Sequence, residues 1–218
     1  MNLKTENLKK KFGKNLIINE NLSKYSWFNL GGPAEIFFRP ESKNQLIEFL
    51  SNIDESKKKI NILGAGSNTL IRDAGLRGIT IKLGSKFSDI KLLEEDIVEV
   101  GAATLDKNVS DFASNHNISK MEFLSCIPGS IGGAIIMNSG CYESDISQIL
   151  LSVTVLDFNG NEKEIKKEDI KFTYRGSNLS KNYIIISAKL KGLPSSNLLI
   201  EKKKHELIKK KKILNQVK

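Results

Sequence analysis

The stretch FLSCIPGSIGGAIIMNSGCYESDI, residues 123–146, carries four glycines in a mostly apolar run, namely Gly129, Gly132, Gly133 and Gly140. Glycine gives a core nothing to pack and loses much backbone entropy on folding, so each of them needs a structural reason. Pro128 presets the φ angle of a first helical turn and Ser130 is a good N-cap, so the pattern predicts a helix that begins here. Its first turn, which includes Ala134, would be free of bulky side chains.

A helix start of this kind has two possible uses. A helix N-terminus without side chains binds phosphate or pyrophosphate through its free amides and its dipole. Alternatively, the glycines allow the helix to pack closely against a sheet. Taken alone, residues 123–146 leave both interpretations open.

A second glycine-rich loop lies in LGAGSNTLI, residues 63–71, after a strand predicted at Ile60–Leu63. Its successive amides can form an anion-binding nest. The loop is not a complete dinucleotide fingerprint, because Thr69 stands where the third glycine is required and the following segment reads as a turn. A structural turn explains the loop about equally well by itself. Two glycine-rich segments that each follow an apolar run nevertheless favour one shared phosphate-bearing ligand.

The segment FTYRGSNL, residues 172–179, places Arg175 between Tyr174 and Gly176 in a chain whose cations are mostly lysines. A planar guanidinium suits a carboxylate or a phosphate group. A lone arginine is also a common surface residue, and the spacing alone does not decide between these interpretations.

The net charge of +9 is unevenly placed, because residues 201–218 hold eight lysines against Glu201 and Glu206. We interpret this tail as a solvated lysine-rich helix. The alternative is a contact with nucleic acid or acidic lipid, but no arginine or aromatic residue is interleaved with the lysines. We therefore expect no nucleic-acid partner and no membrane partner.

Cys126 and Cys141 form no CxxC motif, and neither shows a resolving partner in the sequence, so we interpret them as small buried hydrophobic residues. His116 and His205 lack metal-ligand spacing, and we expect no metal site and no disulfide framework. The N-terminus lacks the apolar region of a secretory signal, and no run of eighteen apolar residues exists. These features predict a cytoplasmic protein.

The hydrophobic periodicity predicts an α+β architecture, because helices and strands alternate irregularly and a hairpin turns at Asn159-Gly160. We predict a polar helix or lead-in over 1–22 and a helix capped by Ser42. The segment LDKNVSDFASNHN, residues 105–117, is expected to form a helix with Leu105, Val109, Phe112 and Ala113 on one face. Strands are predicted at 34–39, 60–63, 78–83, 96–103 and 183–190.

Four segments together resemble the family of UDP-N-acetylmuramate dehydrogenases, also called UDP-N-acetylenolpyruvoylglucosamine reductases. They are SWFNLGGPAEIF, ILGAGSNTLIRDAGLRGITIKL, MEFLSCIPGSIGGAIIMNSGCYESDI and FTYRGSNL, in the family's order and spacing, and they cover about residues 20–195. The resemblance implies an α+β FAD-binding fold of the vanillyl-alcohol-oxidase (PCMH) type with two subdomains. It divides the chain into a lead-in at 1–22, subdomains at 23–84 and 85–194, and a basic linker helix at 195–218.

The resemblance implies that FAD receives hydride from NADPH and passes it to the enolpyruvyl group of UDP-N-acetylglucosamine-enolpyruvate, a UDP-sugar, during peptidoglycan synthesis. It assigns catalysis to Arg175 and substrate binding to Tyr174 and Ser177, in a monomer. It assigns FAD binding to both glycine-rich segments, that is, to Gly64, Ala65, Gly66, Ser67, Asn68, Ile127, Pro128, Gly129, Ser130, Gly132, Gly133 and Ala134.

One departure from the family limits these expectations. The family's GSxFKNP-like segment, with its proton-donating serine, does not occur in this sequence, and neither does the glutamate near the family's C-terminus. We therefore expect the chain to correspond to the FAD-binding part, cut before the substrate domain and without full turnover. The alternatives are another flavin oxidoreductase of the same fold and a non-catalytic FAD-binding fragment.

Overall fold

The computed structural model describes residues 3–53, 59–179 and 183–216. The outermost residues of the predicted lead-in and linker helix, 1–2 and 217–218, lie outside the described residues. The α-helices are α1 (Leu3–Phe12), α2 (Lys43–Asn52), α3 (Asp106–Asn115), α4 (Ile131–Ile136) and α5 (Asn197–Gln216). Short 3-10 turns lie at 13–15, 22–25, 85–87, 122–126, 146–148 and 167–169.

Most strands belong to two sheets, and the remainder form three short ribbons. In chain order they are β1 (Leu16–Asn21), β2 (Pro33–Phe38), β3 (Ile60–Ile62), β4 (Leu76–Ile81), β5 (Ile90–Glu94), β6 (Ile97–Gly101), β7 (Ile118–Ser119), β8 (Gly140–Cys141), β9 (Ser144–Asp145), β10 (Leu150–Asp157), β11 (Glu162–Lys166), β12 (Phe172–Thr173), β13 (Gly176–Ser177), β14 (Tyr183–Lys191) and β15 (Leu193–Pro194).

The first sheet has the strand order β1-β2-β4-β3 and is mixed. Strands β1 and β2 pair antiparallel, whereas β4 runs parallel to both β2 and β3. Helices α1 and α2 contribute to its core, where the rings of Phe12, Phe38 and Phe49 contact one another. The carboxyl ends of β3 and β4 therefore lie at one edge, and the loop between these strands contains residues 64–68.

The second sheet is antiparallel, with the order β11-β10-β14-β6-β5. Its core includes residues of α3, α4 and the 122–126 turn, such as Val109, Ile131 and Leu124. Short ribbons pair β7 with β15, β8 with β9, and β12 with β13. Helix α4 thus lies against this sheet, near the ribbons that contain Cys141 and Ser177.

The structure confirms the predicted α+β architecture and several of its elements. Helix α2 is capped by Ser42, whose hydroxyl accepts from the Gln45 amide, and the β10–β11 hairpin turns through Gly160 at φ +85°. Of the two alternatives for 1–22, a helix describes only residues 3–12, because residues 16–21 form β1 and add a strand to the first sheet. Leu105 precedes α3 and is about half exposed, so it does not share the buried face of Val109.

Helix α5 is more firmly packed than the predicted solvated helix. Ile200 and Leu207 are buried, and so is Lys204, which forms ion pairs with Asp111 (2.8 Å) and Glu201 (2.7 Å). Lys211 donates to the carbonyl oxygen of Cys126 at 2.9 Å. The lysines therefore include several that attach α5 to α3 and to the 122–126 turn. In the part of the chain that the structure describes, no helix is both long and apolar enough to cross a membrane.

Candidate cofactor site

The loop at residues 64–68 is tied to the fold through its carbonyl groups. The Gly64 oxygen accepts a hydrogen bond from Lys82 Nζ, and the Gly66 oxygen accepts from the Trp27 amide at 3.1 Å. Gly66 has φ +74°, and a Cβ there would lie 1.8 Å from the carbonyl oxygen of Tyr25. Only glycine therefore fits at this position.

The amides of the same loop remain available. Within the described residues, the backbone N–H groups of residues 64–68 donate to no protein acceptor. Successive amides without internal partners are the defining feature of an anion nest. The loop thus suits the pyrophosphate of a dinucleotide, which would satisfy these donors.

Helix α4 begins one residue after Ser130, as predicted, but its first turn is only partly free. The Ile131 amide donates to the Thr104 carbonyl at 3.0 Å, and the Gly132 amide donates to the Ala102 carbonyl at 2.9 Å. Both interpretations left open by the sequence therefore apply in part, since these two amides serve packing. In the described structure, the amides at positions 129, 130 and 133 have no protein acceptor and remain available.

The glycines of this segment fall into two groups when a Cβ is built on each. At Gly132 the added atom would lie 3.2 Å from both Cβ and O of Ala102, and at Gly129 it would lie 2.5 Å from Oδ2 of Asp106. Gly140 is equally crowded, against the β9 backbone. At Gly133 the nearest atom is Ser130 Oγ at 3.8 Å, an ordinary contact. Close packing therefore explains three of the glycines, and only Gly133 has an open face.

The two glycine-rich segments meet, although more than sixty residues separate them in sequence. A Cβ built on Gly64 would lie 3.0 Å from Ser130 Oγ, and Ser130 is almost completely buried. The loop of residues 64–68 and the start of α4 therefore adjoin each other at Gly64 and Ser130. The unpartnered amides of both segments and the open face of Gly133 suit the pyrophosphate part of FAD.

Lys82 is a site residue that sequence reasoning missed. It directly follows β4, is half-buried, and lies with Nζ 5.9 Å from the centre of the Tyr25 ring. Burial lowers its pKa, and the nearby Arg39 lowers it further. Because Lys82 binds the Gly64 carbonyl, it orients the nest and adds a positive charge beside it. The available signal was a lysine at the end of the apolar strand GITIK.

Arg175 lies beyond the other end of α4, in the turn between β12 and β13. Its Nη1 donates to the Gly140 carbonyl at 3.0 Å, and its guanidinium lies 5.4 Å from the centre of the Tyr174 ring. Both side chains are exposed, and Arg175 has φ +58°, an unfavourable value for a residue with a side chain. The hydroxyl of Ser177 is buried and has no partner in the described residues.

Asp106, at the start of α3, is a second residue that the sequence did not single out. It is fully buried, and neither carboxyl oxygen has a hydrogen-bond partner among the described residues. Its Oδ2 faces Gly129, and its amide donates to the Gly129 carbonyl at 3.1 Å. Burial raises the pKa of Asp106 to about 7. The carboxyl group therefore occupies the space that a side chain at position 129 would need, which explains why this residue is glycine.

The two cysteines pack in the same apolar core, as small hydrophobic residues should, with Cys126 buried and Cys141 half-buried. The Cys141 thiol donates to the Phe123 carbonyl at 3.5 Å, in the turn that ends at Cys126. Burial, followed by the adjacent Cys126, raises the pKa of Cys141 to about 11. The pair lies at the two ends of the segment that contains α4.

Comparison with known proteins identifies the relatives of this arrangement. The sequence profile of the FAD binding domain family matches residues 34–180. A UDP-N-acetylenolpyruvoylglucosamine reductase of Pelagibacter ubique is 45% identical over 191 residues, which cover 88% of this chain and 63% of that protein. A protein of the same name from Rickettsia canadensis is 42% identical and covers 83% of this chain and 61% of its own length. The chain thus spans less than two thirds of these relatives.

Solved structures agree with this result. The UDP-N-acetylenolpyruvylglucosamine reductase of Thermus caldophilus superposes with a TM-score of 0.78 at 27% identity, over 90% of this chain and 68% of that one. An alkyldihydroxyacetonephosphate synthase superposes with a TM-score of 0.64 at 13% identity, over 89% of this chain and 41% of that one, and shows a shared fold alone. These likenesses confirm the α+β FAD-binding fold of the vanillyl-alcohol-oxidase type.

Proposed function

Since this chain belongs to the FAD binding domain family, we propose that it is the FAD-binding part of a UDP-N-acetylenolpyruvoylglucosamine reductase. The curated relatives that carry this name match most of the chain, at 39–45% identity for those from Pelagibacter, Rickettsia and Wolbachia. The proposed reaction converts UDP-N-acetylglucosamine-enolpyruvate into UDP-N-acetylmuramate, a precursor of peptidoglycan. When bound, FAD would accept hydride from NADPH and deliver it to the enolpyruvyl double bond.

The contact between the two glycine-rich segments is the observation that supports this proposal. The unpartnered amides belong to residues 64–68 in one segment, the open face belongs to Gly133 in the other, and Ser130 approaches both Gly64 and Gly133. In this arrangement the nest binds the pyrophosphate, and Lys82 holds the nest in place through the Gly64 carbonyl. The bare face of Gly133 lets the cofactor approach the backbone without a steric barrier.

Arg175 is proposed to bind the substrate carboxylate. Its guanidinium is exposed, and its bond to the Gly140 carbonyl uses only one of its N–H groups. The others can form a two-point contact with a carboxylate, which lysine cannot reproduce. The same fixed charge would stabilise the negative charge that develops when hydride adds to the enolpyruvyl group. Arg175 has a positive φ although it is exposed, and this backbone conformation is consistent with such a functional constraint.

Titration with FAD tests the proposal on a matched pair of variants in α4. Gly133→Ala creates only an ordinary contact in the free protein and improves helix propensity, so its unfolding free energy should equal or exceed that of the wild type. We expect its affinity for FAD to fall at least about tenfold, which corresponds to about 1.4 kcal/mol, because the new methyl group enters the cofactor face.

Gly132→Ala is the contrasting variant, because its methyl group would press against Ala102 and lower the stability of the free protein instead. The measurements are the quenching of FAD fluorescence on binding and urea unfolding without FAD. A wild-type chain that takes up no FAD would refute the proposed function. Normal FAD affinity in Gly133→Ala would refute only the assignment of this face.

A further inference from the structure

Asp106 lies against the backbone of the second glycine-rich segment. Its Oδ2 is 2.5 Å from the position that a Cβ on Gly129 would take, and its amide donates to the Gly129 carbonyl at 3.1 Å. The amides of Gly129 and Ser130, in contrast, have no protein acceptor among the described residues. The backbone of a single residue therefore separates a buried carboxyl group from an amide that is assigned to the FAD pyrophosphate.

The carboxyl group has no partner that would stabilise its charge. Asp106 is 0% exposed, and within the described residues neither of its oxygen atoms accepts a hydrogen bond. The hydroxyl groups of Thr104 and Ser110, close to it in sequence, are also buried there without partners. A carboxylate that is removed from water without hydrogen bonds or a cation is strongly disfavoured relative to the neutral acid. The folded chain therefore favours the protonated form of Asp106.

The ionisable groups on the surrounding elements do not compensate for this burial. The adjoining segments 101–105 and 127–130, like helix α4, contain no ionisable side chain. The charged groups of α3, α5 and the 122–126 turn have other partners: Lys107 with Asp111 (2.8 Å), Lys203 with Glu122 (3.4 Å), Lys204 with Asp111 and Glu201 (2.8 and 2.7 Å), and Lys211 with the Cys126 carbonyl (2.9 Å). His116 and Lys120 are exposed beyond the other end of α3. Burial by itself accounts for the rise in the pKa of Asp106 to about 7.

We propose that FAD binding is coupled to protonation of Asp106, so that the chain takes up a proton on this carboxyl group when the pyrophosphate binds at Gly129 and Ser130. Asp106 is then a positioning residue that acts through the Gly129 backbone. Its neutral form keeps a second negative charge away from the bound anion. Because the free amides of this segment are assigned to the pyrophosphate, this coupling rests on the proposed function.

The distance between the two negative charges sets the strength of the coupling. An anion that accepts a hydrogen bond from the Gly129 amide would lie within about 8 Å of Asp106 Oδ2, given the close approach of this oxygen to Gly129 and ordinary bond lengths. At this distance and an effective dielectric constant of about 20, two like charges change an affinity about thirtyfold. The coupling is reciprocal, so FAD raises the proton affinity of Asp106 by the same factor by which the proton raises the affinity for FAD.

The affinity for FAD should therefore decrease as the pH rises. Below about pH 7, Asp106 is already protonated in the free chain, and binding requires no change at this residue. At higher pH the free carboxyl group is ionised, and binding must either take up a proton or accept two like charges near each other. Each phosphate group of the FAD pyrophosphate has one strongly acidic ionisation, so the cofactor keeps its phosphate charge over this range.

Titration of the whole chain with FAD at about pH 6 and about pH 8.5 tests the coupling. We expect the dissociation constant of the wild type to rise at least about tenfold between these values. Calorimetry near pH 7.5, in buffers of different ionisation enthalpy, should show the uptake of about half a proton or more per FAD bound. Asp106→Asn should show neither effect, and at about pH 8.5 it should bind FAD about tenfold more tightly than the wild type. A merely structural role predicts weaker binding instead.

Asp169→Asn, at an exposed aspartate, is the control and should retain the pH dependence of the wild type. Asp106→Ser, which also does not ionise, replaces Asp106→Asn if that variant folds poorly. The same pH dependence in the wild type and in the Asp106 variant would overturn the coupling and assign the proton to another group, such as Lys82. An affinity of the wild type that is equal at both pH values would also overturn it. A wild-type chain that takes up no FAD at either pH would instead refute the proposed function.

Discussion

Asp106 is buried in the folded protein, an environment that its position in the sequence does not indicate. It occupies the first turn of α3, where an acidic residue ordinarily interacts with the helix dipole and with water. Here the carboxyl group is buried against Gly129 and, within the described residues, receives no hydrogen bond. Removal from water disfavours the charged form, so the pKa rises to about 7.

This raised pKa predicts a pH dependence of stability. The folded protein holds a proton on Asp106 up to about pH 7, whereas the unfolded chain releases it near pH 3.8, the ordinary pKa of an aspartate. The folded state therefore binds more protons between these values, and the free energy of unfolding should decrease as the pH rises from about 4 to about 7. The loss should be at most about 4 kcal/mol and should persist at higher pH.

Asp106→Asn should remove this dependence, because the amide has nearly the same shape and does not ionise. Urea unfolding of the wild type and the variant at about pH 5 and about pH 8 measures the effect. Asp169→Asn, at an exposed aspartate, is the control and should retain the wild-type slope. Equal slopes for the wild type and Asp106→Asn would show that Asp106 is ionised in the folded protein, contrary to this prediction.

At the level of elements, α5 shows that a lysine-rich segment can be attached to the fold by its charges instead of being fully solvated. Its composition suggests a solvated helix, and the exposed Lys202 fits that description. Lys204 does not, because its ammonium group lies between Asp111 on α3 and Glu201. Burial lowers the pKa of Lys204, but hydrogen bonds to these carboxylates outweigh burial and raise it overall. The ion pairs thus attach α5 to α3.

We predict that Lys204→Ala lowers the free energy of unfolding by about 2 kcal/mol. This is less than the cost of breaking a fully buried pair, because Asp111 and Glu201 remain partly exposed to water. Lys202→Ala, on the exposed side of the same helix, should change stability by less than about 0.5 kcal/mol. Thermal or urea unfolding of both variants checks the prediction, and equal effects would show that α5 is not attached through Lys204.

Helix α4 makes a related point about backbone groups. Its sequence allowed either ligand binding or close packing at the helix start, and Ala102 and Thr104 accept hydrogen bonds from two of its amides. These acceptors lie about thirty residues away in sequence and belong to the segment between β6 and α3. No local pattern specifies such a contact, because it depends on how the sheet and the helix pack.

At the scale of the whole molecule, the proposed activity requires electrons to pass from NADPH through bound FAD. We expect NADPH to bleach the visible absorbance of the FAD-loaded chain when oxygen is excluded. Arg175→Lys is the matched control: because Arg175 is assigned to the substrate, the variant should bind FAD and bleach like the wild type, and the same change in an enzyme that also has the substrate domain should lower turnover by orders of magnitude. A chain that binds FAD normally but is not reduced by NADPH would favour another flavin oxidoreductase of the same fold.

Local periodicity, capping and turn chemistry were enough to predict the α+β fold class, helix α2 with its Ser42 cap, the β10–β11 hairpin and the two glycine-rich segments. Packing between distant segments separates Gly133, which has an open face, from Gly132, which packs on Ala102. The same packing brings Ser130 to Gly64, the Lys82 ammonium group to the Gly64 carbonyl, the Asp106 carboxyl group to Gly129 and the Cys141 thiol to the Phe123 carbonyl. These contacts join distant parts of the chain, and their energies depend on burial and partners that no local pattern contains.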